Sequence, residues 1–186
     1  MRTEIEVKAH ITDRDEVLKK LVALGCGFAH PIQQDDMVYT KEIGTLETFL
    51  SNDVFLRIRI QNDGRVIVTA KQSVKKTAES LVKIEHEIIV SSAEEARAIL
   101  EMMGYQQAVR VKKVRRTAHL NEYEICLDDI EGLGSFIELE RIGESEDADT
   151  IQKDMFTFLM SFGILPDAQV KKGYDILMIE KLTLHS

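Results

Sequence analysis

Charged residues recur at every second position through most strand-like segments of this chain, and this pattern constrains the fold more than any other feature. The first example is Glu4-Ile5-Glu6-Val7-Lys8, in which charged and apolar residues alternate strictly. Side chains of a β-strand point alternately to its two faces, so the segment predicts a strand with three charges on one face and two apolar residues on the other. Taken alone, such a strand is usually half-buried, with its charged face in solvent.

Further segments repeat this alternation and predict an antiparallel sheet. They are 54–60, 65–72, 83–90, 111–116, 123–130 and 135–142. Turn signals separate them, such as Asn62-Asp63-Gly64 and Gly132-Leu133-Gly134. A weak internal repeat, in which a Glu-x-Glu strand precedes a capped helix and a glycine, suggests two similar halves that close into one barrel.

Three segments with apolar residues at helical spacing predict helices. They cover 12–25, with Thr12 as N-cap, 92–104, with Ser92 and Glu95 as a capping box, and about 149–162. The intervening stretches 40–53 and 72–82 are predicted to be loops. The second carries Lys75 and Lys76, and it is either a solvated loop or a lid that reaches a ligand.

The apolar strand faces need a partner, and amphipathic helices packed outside the sheet would supply it. The charged faces would then point into a shared interior, the reverse of an ordinary small barrel. A buried ion pair is often no more stabilising than an apolar replacement, so a ligand explains such an interior better than stability does. Clustered Arg and Lys suit the oxygens of a polyphosphate, and clustered carboxylates suit Mg²⁺ or Mn²⁺.

Several short motifs in this order resemble the CYTH family, which groups class IV adenylyl cyclases with thiamine triphosphatases and other triphosphate hydrolases. They are Glu4-x-Glu6-x-Lys8, LRIR, the lysine of TAKQ, Glu85-x-Glu87, KKVR and LDDIEGLGSFIELE. The length and the KKGYDIL segment are most similar to the small prokaryotic cyclase branch. The resemblance implies an α+β fold with an eight-stranded antiparallel β-barrel, a triphosphate tunnel with helices outside, formed by one domain over residues 1–186.

The resemblance also implies roles for the charged residues. The catalytic residues would be Glu6, Asp128 and Glu138. The residues expected to hold Mg²⁺ or Mn²⁺ are Glu4, Glu6, Asp128, Glu138 and Glu140. The residues expected to bind phosphates are Lys8, Arg57, Arg59, Lys71, Lys113 and Arg115. Glu85 and Glu87 stay ambiguous between metal ligands and partners that orient the arginines.

Three functions fit these residues: an adenylyl cyclase acting on ATP, a hydrolase of inorganic, nucleoside or thiamine triphosphate, and a sensor that binds without turnover. The many carboxylates argue against the sensor, because anion binding alone does not need them. The net charge of −8 argues against nucleic acid as a partner. No long apolar run or signal peptide is present, and Cys26 and Cys126 are isolated, so we expect a cytoplasmic protein without a membrane partner. A homodimer is left open.

Overall fold

The computed structural model describes residues 3–52, 54–73, 82–144 and 147–184, and these form an α+β fold. The strands are β1 (Thr3–Ile11), β2 (Ile32–Thr40), β3 (Val54–Gln61), β4 (Val66–Ser73), β5 (Val82–Val90), β6 (Gln106–Leu120), β7 (Tyr123–Ile130), β8 (Gly134–Gly143) and β9 (Gln169–Val170). The α-helices are α1 (Arg14–Ala23), α2 (Leu46–Ser51), α3 (Ala93–Met102), α4 (Ala148–Met160) and α5 (Tyr174–Leu184). A short 3₁₀ turn, Pro166–Ala168, precedes β9.

All strand pairs are antiparallel, in the order β5-β4-β3-β2-β6-β7-β8-β1-β9. Among the described residues, strand β1 pairs with β8 over nine residues and with β5 over three residue pairs. The expected eight-stranded barrel is therefore present with two differences. The two-residue strand β9 makes a ninth strand beside β1, and β1 and β5 meet at a short junction instead of a full ladder. This junction is called the seam below.

The apolar faces of β1 and β3 lie outside, under helices, as the alternation predicts, whereas Ile88 on the corresponding face of β5 is 63% exposed. Ile5 and Val7 of β1 pack in one cluster with Leu21 of α1 and with Met155 and Leu159 of α4. Helix α3 covers β3 through a second cluster, to which it contributes Ala96 and Leu100. Because these helices bury the apolar faces, the charged faces of the same strands are left for the interior of the barrel.

The caps explain where two of the helices begin. The carboxylate of Asp13, not Thr12, accepts a hydrogen bond from the Glu16 amide at 2.9 Å, so α1 starts one residue later than expected. The prediction for Ser92 is confirmed, since its hydroxyl accepts from the Glu95 amide at 3.1 Å and α3 follows.

Besides β9 and the 3₁₀ turn, three elements were not predicted. Strand β2 and helix α5 had no assignment, and α2 lies inside the stretch 40–53 that was expected to be a loop. The proposed lid carrying Lys75 and Lys76 lies outside the described residues. Among the helices that the structure describes, none is long and apolar enough to span a membrane.

Candidate active site

The charged strand faces line a cavity of about 430 Å³ in the barrel interior. All but one of the predicted site residues lie along it: Glu4, Glu6, Lys8, Arg57, Arg59, Lys71, Glu85, Glu87, Lys113, Arg115, Glu138 and Glu140. The exception is Asp128, which is fully buried in the wall behind this lining. The barrel therefore gathers residues that are distant in sequence into one charged interior.

One side of the cavity, the paired wall, is built from Lys8, Lys113, Arg115, Asp128 and Glu138 on β1, β6, β7 and β8. Glu138 is its centre. Its Oε1 lies 2.8 Å from the Lys8 ammonium, and its Oε2 accepts a hydrogen bond from Arg115. Lys8 also pairs with Glu6 at 2.8 Å. Because almost no water reaches these groups, the pairs are only weakly screened by solvent.

Asp128 fixes Arg115 within the paired wall. The Arg115 Nε donates to one carboxylate oxygen at 2.7 Å and its Nη2 donates to the other at 2.5 Å, a two-point contact that sets the plane of the guanidinium. The Tyr174 hydroxyl donates to the same carboxylate at 3.1 Å, and the Lys113 ammonium lies 3.7 Å away. The Tyr174 ring also lies under Lys8, 3.9 Å from the ammonium to the ring centre.

The pKa values in the paired wall follow from these contacts. Burial opposes the charged form of every group here, but Lys8 and Arg115 together hold the pKa of Glu138 well below its usual range. Burial also disfavours the Lys8 ammonium, yet Glu138 and Glu6 raise its pKa above the ordinary value. Lys113 differs, because burial and the neighbouring Arg115 lower its pKa to about 8. Lys113 is therefore the cation in this wall that loses its proton most easily.

The opposite side, the open wall, consists of Arg57, Lys71, Glu85 and Glu87 on β3, β4 and β5. Arg57 donates to Glu87 at 2.9 Å and to the Thr69 hydroxyl at 3.0 Å. Thr69 in turn donates to Glu87 at 2.8 Å, and Lys71 pairs with Glu85. Half of the Glu87 side chain is exposed, so this wall is wetter and its side chains are held less tightly.

Asp36 of β2 is a site residue that the sequence analysis missed. It holds Arg59 by two hydrogen bonds, from Nε at 2.7 Å and from Nη2 at 2.8 Å. Burial opposes its charge, but Arg59 and Arg57 lower its pKa below the ordinary value. Part of the strand pattern is visible in the sequence, because Gln34, Asp36 and Val38 occupy every second position of IQQDDMVYT and therefore share one face. The second face of β2 is also buried, which hid the strand pattern.

Two glutamates near the seam keep their protons more readily than the others. Burial and the neighbouring Glu85 raise the pKa of Glu4 to about 7. Burial raises the pKa of Glu140 to about 8 against the opposing effect of Arg115, with Glu138, Glu6 and Glu4 adding to the increase.

The comparisons with known proteins agree with this architecture. Residues 2–174 match the CYTH domain family. The chain belongs to the CYTH family. It is also 30% identical over 176 residues to "Putative adenylate cyclase MJ0240" of Methanocaldococcus jannaschii, an alignment covering 92% of this chain and 95% of that protein.

Solved structures of similar fold extend the CYTH comparison. The PH1819 protein of Pyrococcus horikoshii superposes with a TM-score of 0.80 and 25% identity, covering 96% of this chain and 99% of that chain. The "putative adenylyl cyclase HpAC1" of Hippeastrum has a TM-score of 0.60 and 16% identity, covering 93% and 91%, and is described as having a dominant triphosphatase activity. At 16% identity, the second likeness concerns the fold alone.

The donor set of this CYTH chain fits a divalent cation. The cavity lining that the structure describes holds nine carboxylates (Glu4, Glu6, Asp36, Glu85, Glu87, Glu124, Glu138, Glu140 and Asp175) and six Lys or Arg residues. Carboxylate oxygens are the ligands that Mg²⁺ and Mn²⁺ prefer, and burial together with neighbouring carboxylates raises the pKa values of Glu4 and Glu140. Among the described residues no three acidic, His or Cys side chains are already clustered as ligands, so binding would have to draw them together.

A second cavity of about 670 Å³ lies at the end of the barrel where the β3–β4 and β7–β8 turns meet. Gln34, Gln61, Ile130 and Ser135 are among its lining residues. Lys113 lines both cavities, so the second cavity adjoins the charged interior. Its volume is in the range of small-molecule sites, about 300–1,000 Å³.

Proposed function

We propose that this protein is a class IV adenylyl cyclase-like enzyme that converts ATP to cyclic AMP and pyrophosphate with Mg²⁺ or Mn²⁺. The observation that carries the proposal is the convergence of six cations from four strands on one cavity that also holds many carboxylates. A single phosphate cannot contact cations spread along both walls, whereas an extended triphosphate can. The choice of cyclisation is supported by the relationship to the Methanocaldococcus jannaschii protein and by the adjoining second cavity, which offers room for a nucleoside.

The six cations would contact the triphosphate from different sides of the cavity. Arg57 and Lys71 approach it from the open wall, and Lys8, Lys113 and Arg115 approach it from the paired wall. Arg59 is pre-oriented by Asp36, and Arg115 is pre-oriented by Asp128, so neither guanidinium has to reorganise when charge develops. Such fixed donors stabilise the negative charge of a departing pyrophosphate more than mobile surface lysines would.

In the reaction the 3′-oxygen of ATP attacks the α-phosphorus, the bond from that phosphorus to the bridging α–β oxygen breaks, and pyrophosphate leaves. The attacking group is tethered to the phosphorus, so correct orientation contributes several kcal/mol, up to roughly 7–11 in ideal geometry. When bound, Mg²⁺ or Mn²⁺ would ease deprotonation of the 3′-hydroxyl and neutralise the leaving group. The residues proposed to hold it are Glu4, Glu6, Glu138 and Glu140, which line the cavity. Asp128, the fifth residue expected there, lies behind the lining with both oxygens engaged by Arg115.

The proposed catalytic carboxylates have distinct environments. Glu138 remains ionised at neutral pH because its pKa is held low, so it does not accept the proton of the 3′-hydroxyl. It acts through its charge, by fixing Lys8 and Arg115. Asp128 is engaged by Arg115 and by Tyr174, which suits it to positioning Arg115. Glu6 lies at the cavity beside Lys8, on the side of the carboxylates with raised pKa values.

Hydrolysis of a triphosphate is the second candidate. It needs the same cations and carboxylates, and the fold is shared with the Hippeastrum protein described as a triphosphatase. A hydrolase must hold a water molecule in line with the terminal phosphorus. Glu85 and the half-exposed Glu87 of the open wall would orient such a water.

One set of incubations separates the candidates. The protein is mixed with ATP, 3′-deoxy-ATP, inorganic triphosphate or thiamine triphosphate, with Mg²⁺, Mn²⁺ or excess EDTA, and products are resolved by ³¹P NMR. We expect ATP to give cyclic AMP and pyrophosphate with metal only, and 3′-deoxy-ATP to remain intact because it lacks the attacking hydroxyl. Orthophosphate released equally from both nucleotides, or consumption of inorganic triphosphate alone, would identify a hydrolase. Binding without any turnover would identify a sensor.

A further inference from the structure

Two glutamines form part of a row of side chains across the barrel interior. In the strand register Gln61 of β3 lies opposite Gln34 of β2, Gln34 lies opposite Lys113 of β6, and Lys113 lies opposite Ile130 of β7. Directly opposed residues of antiparallel strands point to the same face of the sheet. Lys113 points into the charged interior, and therefore both glutamines face inward as well.

These glutamines are buried but incompletely hydrogen-bonded. Their exposed fractions are 6% for Gln34 and 7% for Gln61. Within the described part of the chain, neither side-chain carbonyl oxygen receives a hydrogen bond. Buried polar groups are normally paired, so two adjacent buried acceptors without donors need an explanation. Elsewhere in the interior the carboxylates of Asp36, Asp128 and Glu138 are each engaged by cations.

The position of this row relates it to the triphosphate site. Gln34 and Gln61 each lie two residues along their strands from Asp36 and Arg59, the buried pair described above. Two residues of a strand span about 6.6–6.8 Å, so the amides lie one step beyond Arg59. Both glutamines and Lys113 line the second cavity. A group attached to a phosphate held by Arg59 and Lys113 would therefore reach the two carbonyl oxygens.

We propose that Gln34 and Gln61 recognise the ring attached to the triphosphate, by accepting hydrogen bonds from an exocyclic amino group. The inference rests on the proposed nucleotide substrate. The amino group of adenine carries two hydrogens, which can satisfy two converging acceptors. An oxo group at the same position, as in inosine triphosphate, has no hydrogen to donate, so both carboxamides would have to turn and present their NH2 groups instead. The site thus favours ATP over ITP by the cost of that reorientation and of the amide oxygens it leaves unpaired.

The test compares equilibrium binding of ATP, ITP and inorganic triphosphate, with Ca²⁺ in place of Mg²⁺ and with ³¹P NMR to verify that no turnover occurs. The variants Gln34→Met and Gln61→Met keep the length of the side chain and remove the acceptor. Gln106→Met is the matched control, because Gln106 is exposed and lines neither cavity. We expect wild type and Gln106→Met to bind ATP at least about 10-fold tighter than ITP. Each interior variant should bring that ratio close to one.

Inorganic triphosphate has no ring, so its affinity should be the same in all four proteins, which also verifies that the variants are folded. Equal binding of ATP and ITP by the wild type would overturn the inference, and so would an unchanged ratio in both interior variants. A preference for ATP that depends on the glutamines, in a protein that makes no cyclic AMP, would support the inference while refuting the proposed cyclisation. Thiamine triphosphate, whose ring also carries an amino group, is included, and binding tighter than that of ATP would overturn the assignment to adenine.

Discussion

The two walls of the cavity carry the same kinds of side chain but hold them very differently. In the paired wall, Glu138 is 4% exposed and engages two cations, and Asp128 is wholly buried beneath Arg115 and Tyr174. In the open wall, Glu87 is 49% exposed and holds Arg57 with help from Thr69. The same ion-pair chemistry therefore occurs in a dry setting on one side and in a wet setting on the other.

The two walls therefore contribute to different properties of the protein. Removing one member of a buried ion pair leaves its partner charged and desolvated, which typically costs 3–5 kcal/mol. An exposed pair contributes about 0–1 kcal/mol, because water replaces the lost partner. We therefore expect the paired wall to serve both stability and catalysis. Side chains of the open wall can change position when a substrate binds, with little effect on the free energy of unfolding.

The largest expected effect comes from Glu138→Gln in the paired wall. The change removes the charge that Lys8 and Arg115 share. We expect the free energy of unfolding, measured by urea titration, to fall by about 3–5 kcal/mol. The kcat for the triphosphate substrate should fall on the order of 10²-fold or more, because fixed donors to the leaving group are displaced.

The matched control is Glu87→Gln, the same chemical change in the open wall. We expect its free energy of unfolding to change by less than about 1 kcal/mol, since Glu87 is half-exposed and Arg57 keeps its contacts with Thr69 and Asp36. If the two variants lose equal stability, the contrast between the walls is wrong. If Glu138→Gln retains wild-type kcat, Glu138 has no part in the reaction.

The next prediction concerns whether a single ligand contacts both walls at once. Inorganic triphosphate presents three linked phosphates to the cations that line both walls, whereas orthophosphate presents one. At about 100 times its dissociation constant a ligand stabilises the folded state by about 2.7 kcal/mol. We expect triphosphate to raise the melting temperature far more than orthophosphate at equal concentration and ionic strength. Equal shifts would mean that the cations do not act on a single extended anion.

Much of this arrangement follows from local sequence patterns, and the exceptions have identifiable physical reasons. The alternation in β1 predicts which side chains enter the interior, because a strand has a period of two. Strand β2 was missed because both of its faces are buried: Asp36 and Val38 lie on one side, and Met37 and Tyr39 lie on the other. Such a strand shows no contrast between its faces.

Partnerships inside the cavity could not be read from the sequence at all. Arg115 contacts Asp128, Glu138 and Glu140 because of the strand register, which the motifs do not specify. The raised pKa of Glu140 arises from burial and from its spatial neighbours, and sequence spacing does not report either. Helix α5 was missed because its mixed polar and apolar faces lack a clear stripe. Its first residue, Tyr174, nevertheless reaches Asp128.

The seam between the walls should give metal binding a marked pH dependence. Glu4, with a pKa of about 7, and Glu140, with a pKa of about 8, must lose protons before they can bind Mg²⁺ or Mn²⁺. We expect the affinity for Mn²⁺, measured by calorimetry, to rise by up to about 10-fold per pH unit between pH 6 and 8 for each displaced proton. Glu140→Gln should flatten the rise above pH 7, and an unchanged profile in that variant would exclude Glu140 as the titrating group.

The same two groups affect the stability of the metal-free protein in the opposite sense. Their pKa values are higher in the folded state than in the unfolded chain, near 4.5. Their contribution to stability is therefore complete below about pH 4.5 and is lost as the pH rises through 7 and 8. Glu138 and Asp36, whose pKa values are lowered, contribute fully above pH 4.5 and do not change over this range. We expect the melting temperature of the metal-free protein to fall from pH 6 to 8 and Mn²⁺ to reverse the fall.

The smallest effect separates the two contacts of Tyr174 in the paired wall. Tyr174→Phe removes the hydroxyl that donates to Asp128 and keeps the ring against Lys8. Asp128 still accepts from Arg115, so we expect a loss of about 0.5–1.5 kcal/mol in the free energy of unfolding, the usual contribution of one hydrogen bond. Tyr174→Leu also removes the ring beneath the Lys8 ammonium and should cost more. Both variants are compared by urea titration with Tyr123→Phe, a tyrosine that packs beside Phe158 away from the cavity. If Tyr174→Phe destabilises the protein as much as Glu138→Gln does, the hydroxyl, and not the shared carboxylate, is the centre of the paired wall.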